Sequence, residues 1–286
     1  MNGPLLYRRG PADALDVSGR DRIAFLQGLT TNDLRTLSAG AIWGAALSPV
    51  GKVLFVFRAA IRGDRIRLLL SPGAAGRAAA HLRKYAVFQD VRIEEAPPLL
   101  RFDLYGAEPP APPSAAEAWP PFFELRGTWL VAAGEAGAIE AVLAASGASV
   151  IGDEEAEARR IEAGRPEEGK EIDETRTPDE AGLSGAVSTT KGCYVGQEIV
   201  ARMRTYGRAP RRLVRFVFDG AGPVPAGTRL VRAAEPDPEA GRVTSSAISA
   251  GGLVALGYVG RGIADGETLS IAGDPGRAAR VEPISP

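Results

Sequence analysis

The sequence predicts an α+β fold that ends in a small β-barrel, and three observations carry the prediction. Two runs rich in Val, Ile, Leu and Phe, Lys52 to Ile61 and Arg65 to Ser71, are separated only by Arg62, Gly63 and Asp64, the signature of a β-hairpin. Helical and strand-like spacings alternate along the chain up to Gly207. Beyond it, short β-branched runs follow one another, parted by Gly and Pro, as in a small antiparallel barrel.

Taken in order, GRDRIAFLQGLTTNDL from Gly19 to Leu34 places Ile23, Phe25, Leu26 and Leu29 for a short amphipathic helix ending near Gly28, with a polar turn at Thr30, Thr31 and Asn32. After the hairpin, Ala74 to Tyr85 is Ala-rich and gathers basic residues toward its end, where a helix dipole favours cations. Val87 to Glu94 returns to strand-like alternation. Pro97 and Pro98, Pro109 to Pro113, and Pro120 and Pro121 predict surface loops and a subdomain break near 97–121, because proline interrupts regular elements. Phe122 to Ala133 reads as a strand pair and Ala136 to Ser146 as a helix. Asp153 to Ala163 reads as a helix with an acidic first turn, stopped by Gly164 and Pro166. The barrel runs are Arg212 to Asp219, Thr228 to Ala233, Gly241 to Ile248, Leu253 to Val259, Thr268 to Ala272 and Ala278 to Ile284. The expected domains are therefore 1–207 and 208–286, with a boundary near Arg208.

Composition narrows the function. The 286 residues are 45% apolar, enough for ordinary cores, and 34 Lys and Arg balance 35 Asp and Glu, so no basic excess draws the chain to nucleic acid or an anionic membrane. No run approaches the ~20 apolar residues of a membrane helix. Met1 to Asp13 lacks the apolar core of a secretory signal, so a cytoplasmic protein is expected. One cysteine, Cys193, forbids an intrachain disulfide, and one histidine, His81, argues against a protein-only zinc site and offers a cysteine-protease pair no supporting signature. Gly51 and Lys52 are followed by Val53, so there is no phosphate-binding loop of the P-loop type.

The chemistry concentrates in KGCYVGQE, Lys191 to Glu198. A lone cysteine is ordinarily a small buried apolar side chain. Here it stands between Gly192 and Tyr194, with Gly196 and Gln197 placed to open a helix and Lys191, Arg202 and Arg204 nearby. Positive potential of that kind lowers a thiol's pKa, so Cys193 is the candidate reactive residue and Lys191 its candidate activator.

KGCYVGQE resembles the signature of the YgfZ family, folate-binding proteins related to the glycine-cleavage T-protein that help maintain iron-sulfur enzymes; its hallmark is the cysteine in this string. GRDRIAFLQGLTTNDL, RIEAG (Arg160 to Gly164) and TPDEAGL (Thr177 to Leu183) agree in order and spacing, so the resemblance covers essentially the whole chain. It implies a T-protein-like fold: two intertwined α/β subdomains with antiparallel sheets, a C-terminal β-barrel, and tetrahydrofolate or a derivative in a central cavity. Glu162 matches the glutamate that contacts the pterin ring, whose amino and N–H donors a carboxylate accepts in a planar pair. Asn32 and Tyr194, within the matched motifs, are further candidate folate contacts. Where the T-protein carries the aspartate of aminomethyl transfer, the aligned positions are Phe55 and Val56, and apolar side chains replace neither its charge nor its proton transfer. One cysteine does not hold an iron-sulfur cluster, which takes about four protein ligands. The implied role is a folate-binding helper of iron-sulfur client or assembly proteins, acting through Cys193. Two alternatives stand beside it: a folate-dependent one-carbon transferase, and a non-enzymatic module that reads a client through the barrel and the arginines around Arg208, with Cys193 dispensable, or RNA through Tyr194, Tyr206, Arg202, Arg204, Arg208, Arg211 and Arg212.

Overall fold

A computed structural model describes residues 3–207, 209–220, 222, 224–233 and 238–284. Arg208 and the side chain of Tyr206 lie outside the described residues. The chain groups into two compact units, one of Met1–Pro49, Leu54–Gly152 and Gly185–Gln197, the other of Val50–Val53, Asp153–Ser184 and Glu198–Pro286.

The first unit is organised by one long strand, β1 (Leu6–Ser18). Its residues 6–12 pair antiparallel with β6 (Leu99–Tyr105), and its residues 13–17 pair antiparallel with β4 (Arg65–Leu70). Two small sheets thus share a strand. β5 (Arg92–Glu95) joins β1 at residues 15–18, and β9 (Ser149–Val150) joins it in parallel at Leu6 and Tyr7. Sequence patterning misses β1 because Arg8, Arg9, Gly10 and Pro11 argue against a strand. Pro11 is tolerated because β1 has only β6 beside it there, and a proline lacking its N–H costs little at a local edge.

On one side the sheet continues from β4 to β3 (Val53–Arg62) and β2 (Ile42–Leu47), and on the other from β6 to β8 (Gly127–Ala132) and β7 (Glu117–Trp119). The hairpin read from the sequence is β3 and β4, paired from Phe57↔Leu70 to Arg62↔Arg65. The expectation of surface loops throughout 97–121 is corrected: β6 lies between β1 and β8, with Phe102 and Leu104 fully buried. The prolines bracket a proline-free apolar run instead of interrupting it. The strand pair expected over Phe122 to Ala133 is only β8, preceded by a tight turn in which Phe122 and Leu125 bond each other and Phe123 takes a positive φ of 51°.

Helices α1 (Arg22–Leu29) and α2 (Ala75–Arg83) bury Phe25, Leu26, Leu29, Ala78, Ala79 and Leu82 against Leu15, Val17, Phe55 and Phe57. Gly44 makes room for this core, since the Phe57 ring carbon Cζ stands 2.6 Å from where a Cβ would sit. A second cluster forms where α3 (Ala136–Ala145) sets Ile139 and Leu143 on Phe102, Leu104 and Trp129. No helix among the described residues is long and apolar enough to cross a membrane.

In the second unit, β10 (Arg211–Phe218), β11 (Arg229–Val231), β12 (Gly241–Ser249), β13 (Gly252–Gly260), β14 (Thr268–Ile271) and β15 (Asp274–Pro283) close into a barrel in the order β10-β13-β12-β11-β14-β15. Alternate residues fill it, among them Val214, Phe216, Phe218, Val243, Ala255, Leu269 and Val281. Helix α4 (Asp153–Glu162) groups with the barrel and lays Ile161 on Leu213, Val254, Leu256 and Tyr258.

One turn of α4 also carries a buried cation. The Arg160 guanidinium, 2% exposed, donates to Glu157 (2.7 and 2.8 Å), Glu171 Oε2 (2.8 Å), Ser245 Oγ (2.9 Å) and the Arg165 carbonyl (2.7 Å). Glu171, fully buried, accepts in addition from Ser245 Oγ, Thr244 Oγ1 and the Glu167 N–H. Removing one partner of such a pair leaves the other charge buried alone. Arg160→Met should therefore lower the unfolding free energy by about 3–5 kcal/mol, read by urea denaturation; an unchanged midpoint would contradict this.

Glu157 gives the network a pH dependence. Burial pushes its carboxyl up, but hydrogen bonds and charge from Arg160 and Lys170 prevail and pull it from 4.5 down to about 2. The folded protein therefore binds fewer protons than the unfolded chain between these values. Its contribution is complete above about pH 4.5 and is lost as the pH falls toward 2. The stability difference between wild type and Glu157→Gln should shrink when the denaturation is repeated at about pH 3 instead of about pH 6.

The cysteine loop as candidate functional site

The site is assembled around the C-terminal end of α1. There the last helical carbonyls have no partner within the helix and carry partial negative charge. Thr30 turns its Oγ1 back to the Leu26 carbonyl (2.8 Å). Thr31, wholly buried, donates from Oγ1 to the Ala186 carbonyl (2.6 Å) and accepts from the Ala45 N–H (2.9 Å), while its own carbonyl accepts from the Ser188 N–H (3.0 Å). The polar turn after α1 thus stitches residues 186–188 to β2.

Asn32 works in the same way. Its Nδ2 donates to the Trp43 (2.7 Å) and Gly185 (3.3 Å) carbonyls, and its Oδ1 accepts from the Asp33 N–H (2.9 Å). Asp33 caps the following 3₁₀ turn, Leu34–Ala39, and a two-pronged bond from Arg35 holds its carboxyl well below the usual carboxylate range.

Lys191 completes the assembly. It is 6% exposed, and Nζ donates to the Gln27 carbonyl (2.7 Å), the Asn32 carbonyl (3.0 Å) and the Thr30 carbonyl. An ammonium has three donors, and here each has a backbone acceptor, one in the last turn of α1 and two in the turn that follows it. Burial pulls its pKa down from 10.5 to about 8, with Asp33 opposing and Arg35 adding to the fall. The Tyr194 ring centroid lies 5.0 Å from Nζ, within cation–π range.

Downstream, the Val195 N–H reaches the Gly28 carbonyl (3.3 Å) and the Val195 side chain packs on the core. The Tyr194 N–H donates to Gln197 Oε1 (3.3 Å) and the Gln197 N–H to the Tyr194 carbonyl (3.2 Å). Gly196, at φ 82°, turns the chain into α5 (Gln197–Tyr206), a conformation that disfavours any side chain. Both flanks of the loop are therefore fixed, and between them Gly192 and Cys193 are exposed, with the thiol free.

The structure brings Asn32, Lys191, Cys193, Tyr194 and Gln197 together in the first unit. Glu162 is the last residue of α4 in the second unit. It is exposed, its backbone carbonyl accepts from Arg215, and its carboxylate has no partner among the described residues. Glu198 pairs with Arg202 (2.9 Å). His81 packs between Phe55 and Tyr85, with ring centroids 5.8 and 5.4 Å away, and burial lowers its pKa. Arg204 and Arg212 face Asp179 and Asp265, so most of the arginine run expected to form a basic surface is paired with carboxylates. Among the described residues no three His, Cys, Asp or Glu side chains converge as a metal-holding group. Sequence reading placed Thr31 in the polar turn but gave no part to Gln27 or Ser188, because their bonds in the site run through backbone groups that a sequence does not display.

Two small antiparallel sheets sharing a strand, followed by a closed barrel, are the T-protein class of fold. The chain is similar to the crystal structure of glycine cleavage system aminomethyltransferase T from Bartonella henselae, with a TM-score of 0.85 over 99% of this chain and 86% of that one, at 20% identity. Among curated proteins it is 28% identical over 235 residues to the tRNA-modifying protein YgfZ of Yersinia pseudotuberculosis, covering 73% of this chain and 69% of the relative. It is 27% identical over 241 residues to the iron-sulfur cluster assembly factor IBA57 homolog, mitochondrial, of Mycosarcoma maydis, covering 78% and 59%. A chloroplastic protein of Arabidopsis thaliana with a transferase name matches at 27% over 242 residues, 74% of this chain but only 56% of that protein. No family model matches the chain. The resemblance to the YgfZ family read from KGCYVGQE is thus borne out by relatives of that name over most of the chain.

If Lys191 holds the loop, Lys191→Met should strand three carbonyl acceptors, lower stability by about 1–3 kcal/mol, and speed hydrogen exchange at the Ser188, Lys191 and Val195 amides. Unchanged exchange at these amides would show that the loop is held by other contacts.

Proposed function

We propose that this chain is a cytoplasmic, folate-binding helper of iron-sulfur proteins, in which Cys193 is the thiol that engages the client. The observation that carries the reading is the build of KGCYVGQE: both flanks are fixed to buried polar and apolar partners, and the thiol alone is presented outward. An exposed thiol on a fixed loop is available as a thiolate ligand or for thiol exchange at low entropic cost. Relatives named for iron-sulfur cluster assembly and for tRNA modification agree with such a role.

Lys191 serves Cys193 through position. With its three donors on carbonyls, it fixes where the loop runs, and a loop that does not drift keeps the thiol where a client meets it. Glu162 is the residue we assign to folate. Its carboxylate, exposed and without a partner among the described residues, fits the paired donors of a pterin edge. Asn32, whose amide and oxygen are both engaged within the chain, and Tyr194, largely buried, serve by shaping the cysteine loop. Tetrahydrofolate, when bound, supplies a carrier for one-carbon units. The helper reading is preferred over aminomethyl transfer because Phe55 and Val56 occupy the position of the transfer acid, and Phe55 is 1% exposed within the core.

Titration calorimetry with tetrahydrofolate tests the reading. Wild type should bind, Glu162→Ala should lose about 1.5–3 kcal/mol, the value of hydrogen bonds to a charged group, and Cys193→Ala should bind as wild type does. In cells lacking the wild-type gene, Cys193→Ala should then fail to restore the activity of a cluster-dependent enzyme. No binding to any folate would remove the cofactor from the reading, and full restoration by Cys193→Ala would remove the thiol.

A further inference from the structure

The turn that follows α2 presents its apolar residues to solvent. Phe88 is 98% exposed, Val87 70% and Tyr85 41%. The turn is nonetheless well built. Ala86 and Val91 pack on the core, and the Val91 N–H bonds the Gln89 carbonyl (2.9 Å). Asp90 is clasped from both sides: its carbonyl accepts from the Asp21 N–H (3.2 Å) and its N–H donates to Asp21 Oδ2 (2.9 Å). Gly19, at φ 101°, lets the backbone close in, because a Cβ there would stand 2.1 Å from the Asp90 oxygen. Seating Ala86 and Val91 inward turns Val87 and Phe88 out on a fixed knob.

The cations free to act beside the knob are Lys84 and Arg92, both exposed and paired with no carboxylate among the described residues. Arg20 is engaged by Asp21 (3.5 Å) and Arg83 by the Ile93 carbonyl (2.8 Å). Tyr85, Val87 and Phe88 together offer roughly 400 Å² at most, about half of what one side of a stable interface buries. A second copy is a poor occupant, since a twofold contact would set this cationic rim against itself. RNA would use the aromatic rings for stacking and the cations for phosphates, but has no use for an exposed valine beside them.

We propose that the Tyr85 to Phe88 turn is a docking knob for a partner protein that offers an apolar cleft edged by carboxylates. The inference deepens the proposed function and rests on it only for the partner's identity, an iron-sulfur client or assembly protein. Phe88 fills the cleft, Val87 seals its margin, and Lys84 and Arg92 meet the acidic rim. The small area suits a transient contact whose energy comes from one or two anchors.

The test places a photoreactive benzoylphenylalanine at Val87 of the full chain in cells. Irradiation should give one protein adduct, identified by mass spectrometry as an iron-sulfur or assembly protein. Its yield should fall about tenfold with Phe88→Ser and with Lys84→Glu plus Arg92→Glu, as expected for a hot-spot anchor and its charged rim. The exposed substitutions should leave the melting temperature unchanged. An adduct with RNA or with a second copy, no adduct, or a yield indifferent to the charge reversal would overturn the inference. Restoration of a cluster-dependent enzyme separates the two readings. Loss with both Phe88→Ser and Cys193→Ala supports the knob. Loss with Cys193→Ala alone removes the knob and leaves the proposed function standing.

Discussion

Between the short 3₁₀ turn at Ser184–Ala186 and the start of α5, the chain that carries Cys193 has no helix or strand of its own. A segment of that kind pays full conformational entropy for each residue it orders and recovers none of it from regular backbone pairing. What orders it is the ammonium of Lys191, lying across the Gln27, Thr30 and Asn32 carbonyls. The Gln27 carbonyl is one the helix end leaves over and the Thr30 and Asn32 carbonyls belong to the turn after it, so one side chain ties the helix end, the turn and the loop together. Thr31 and Asn32 extend the arrangement, each bonding the 185–188 stretch on one side and β2 or its approach on the other. The stability of the thiol's surroundings is therefore tied to the end of α1, more than a hundred residues earlier in sequence.

The second unit solves a similar problem with a different cation. The stretch between α4 and α5 is again mostly irregular, and the part of it nearest α4 is gathered on Arg160, through the Arg165 carbonyl, Glu167 and Glu171. The hydroxyls of Thr244 and Ser245 then bind Glu171 to β12, and the Tyr258 hydroxyl donates to the Glu171 carbonyl from β13. Guanidinium suits this place because its planar donors reach two carboxylates, a hydroxyl and a carbonyl together. Lysine suits the other, where acceptors converge on a point.

What the sequence makes legible follows from which forces act locally. Hairpin β3–β4, helices α1 to α4 and the barrel strands are all visible as periodicity, because each buries one face against its neighbours. β1 is not, since part of it lies at a local edge where Arg8, Arg9 and Pro11 are tolerated, and its role as the shared strand depends on partners as distant in sequence as Tyr105 and Ser149. β6 is hidden by the prolines on either side of it. At the site, Cys193 is recognisable from its flanking glycines and from resemblance. The task of Lys191 is not, because proximity in sequence suggests an effect on the thiol, whereas the ammonium faces backbone acceptors supplied by α1 and the turn after it.

The T-protein fold also shows how little a shared architecture fixes chemistry. Phe55, which the family resemblance sets at the position of the transfer acid, is inside the core with Phe57 and His81 around it and serves packing. In KGCYVGQE, by contrast, Lys191 is buried and Cys193, two residues later, is exposed. Only Gly192 separates them. A Cβ added there would meet no atom within 4 Å, and the residue is not in the left-handed region. Nothing within the chain therefore requires glycine at this position, in contrast to Gly196, whose φ of 82° does. The bare backbone at Gly192 leaves the side of the neighbouring thiol uncovered by any side chain at that position.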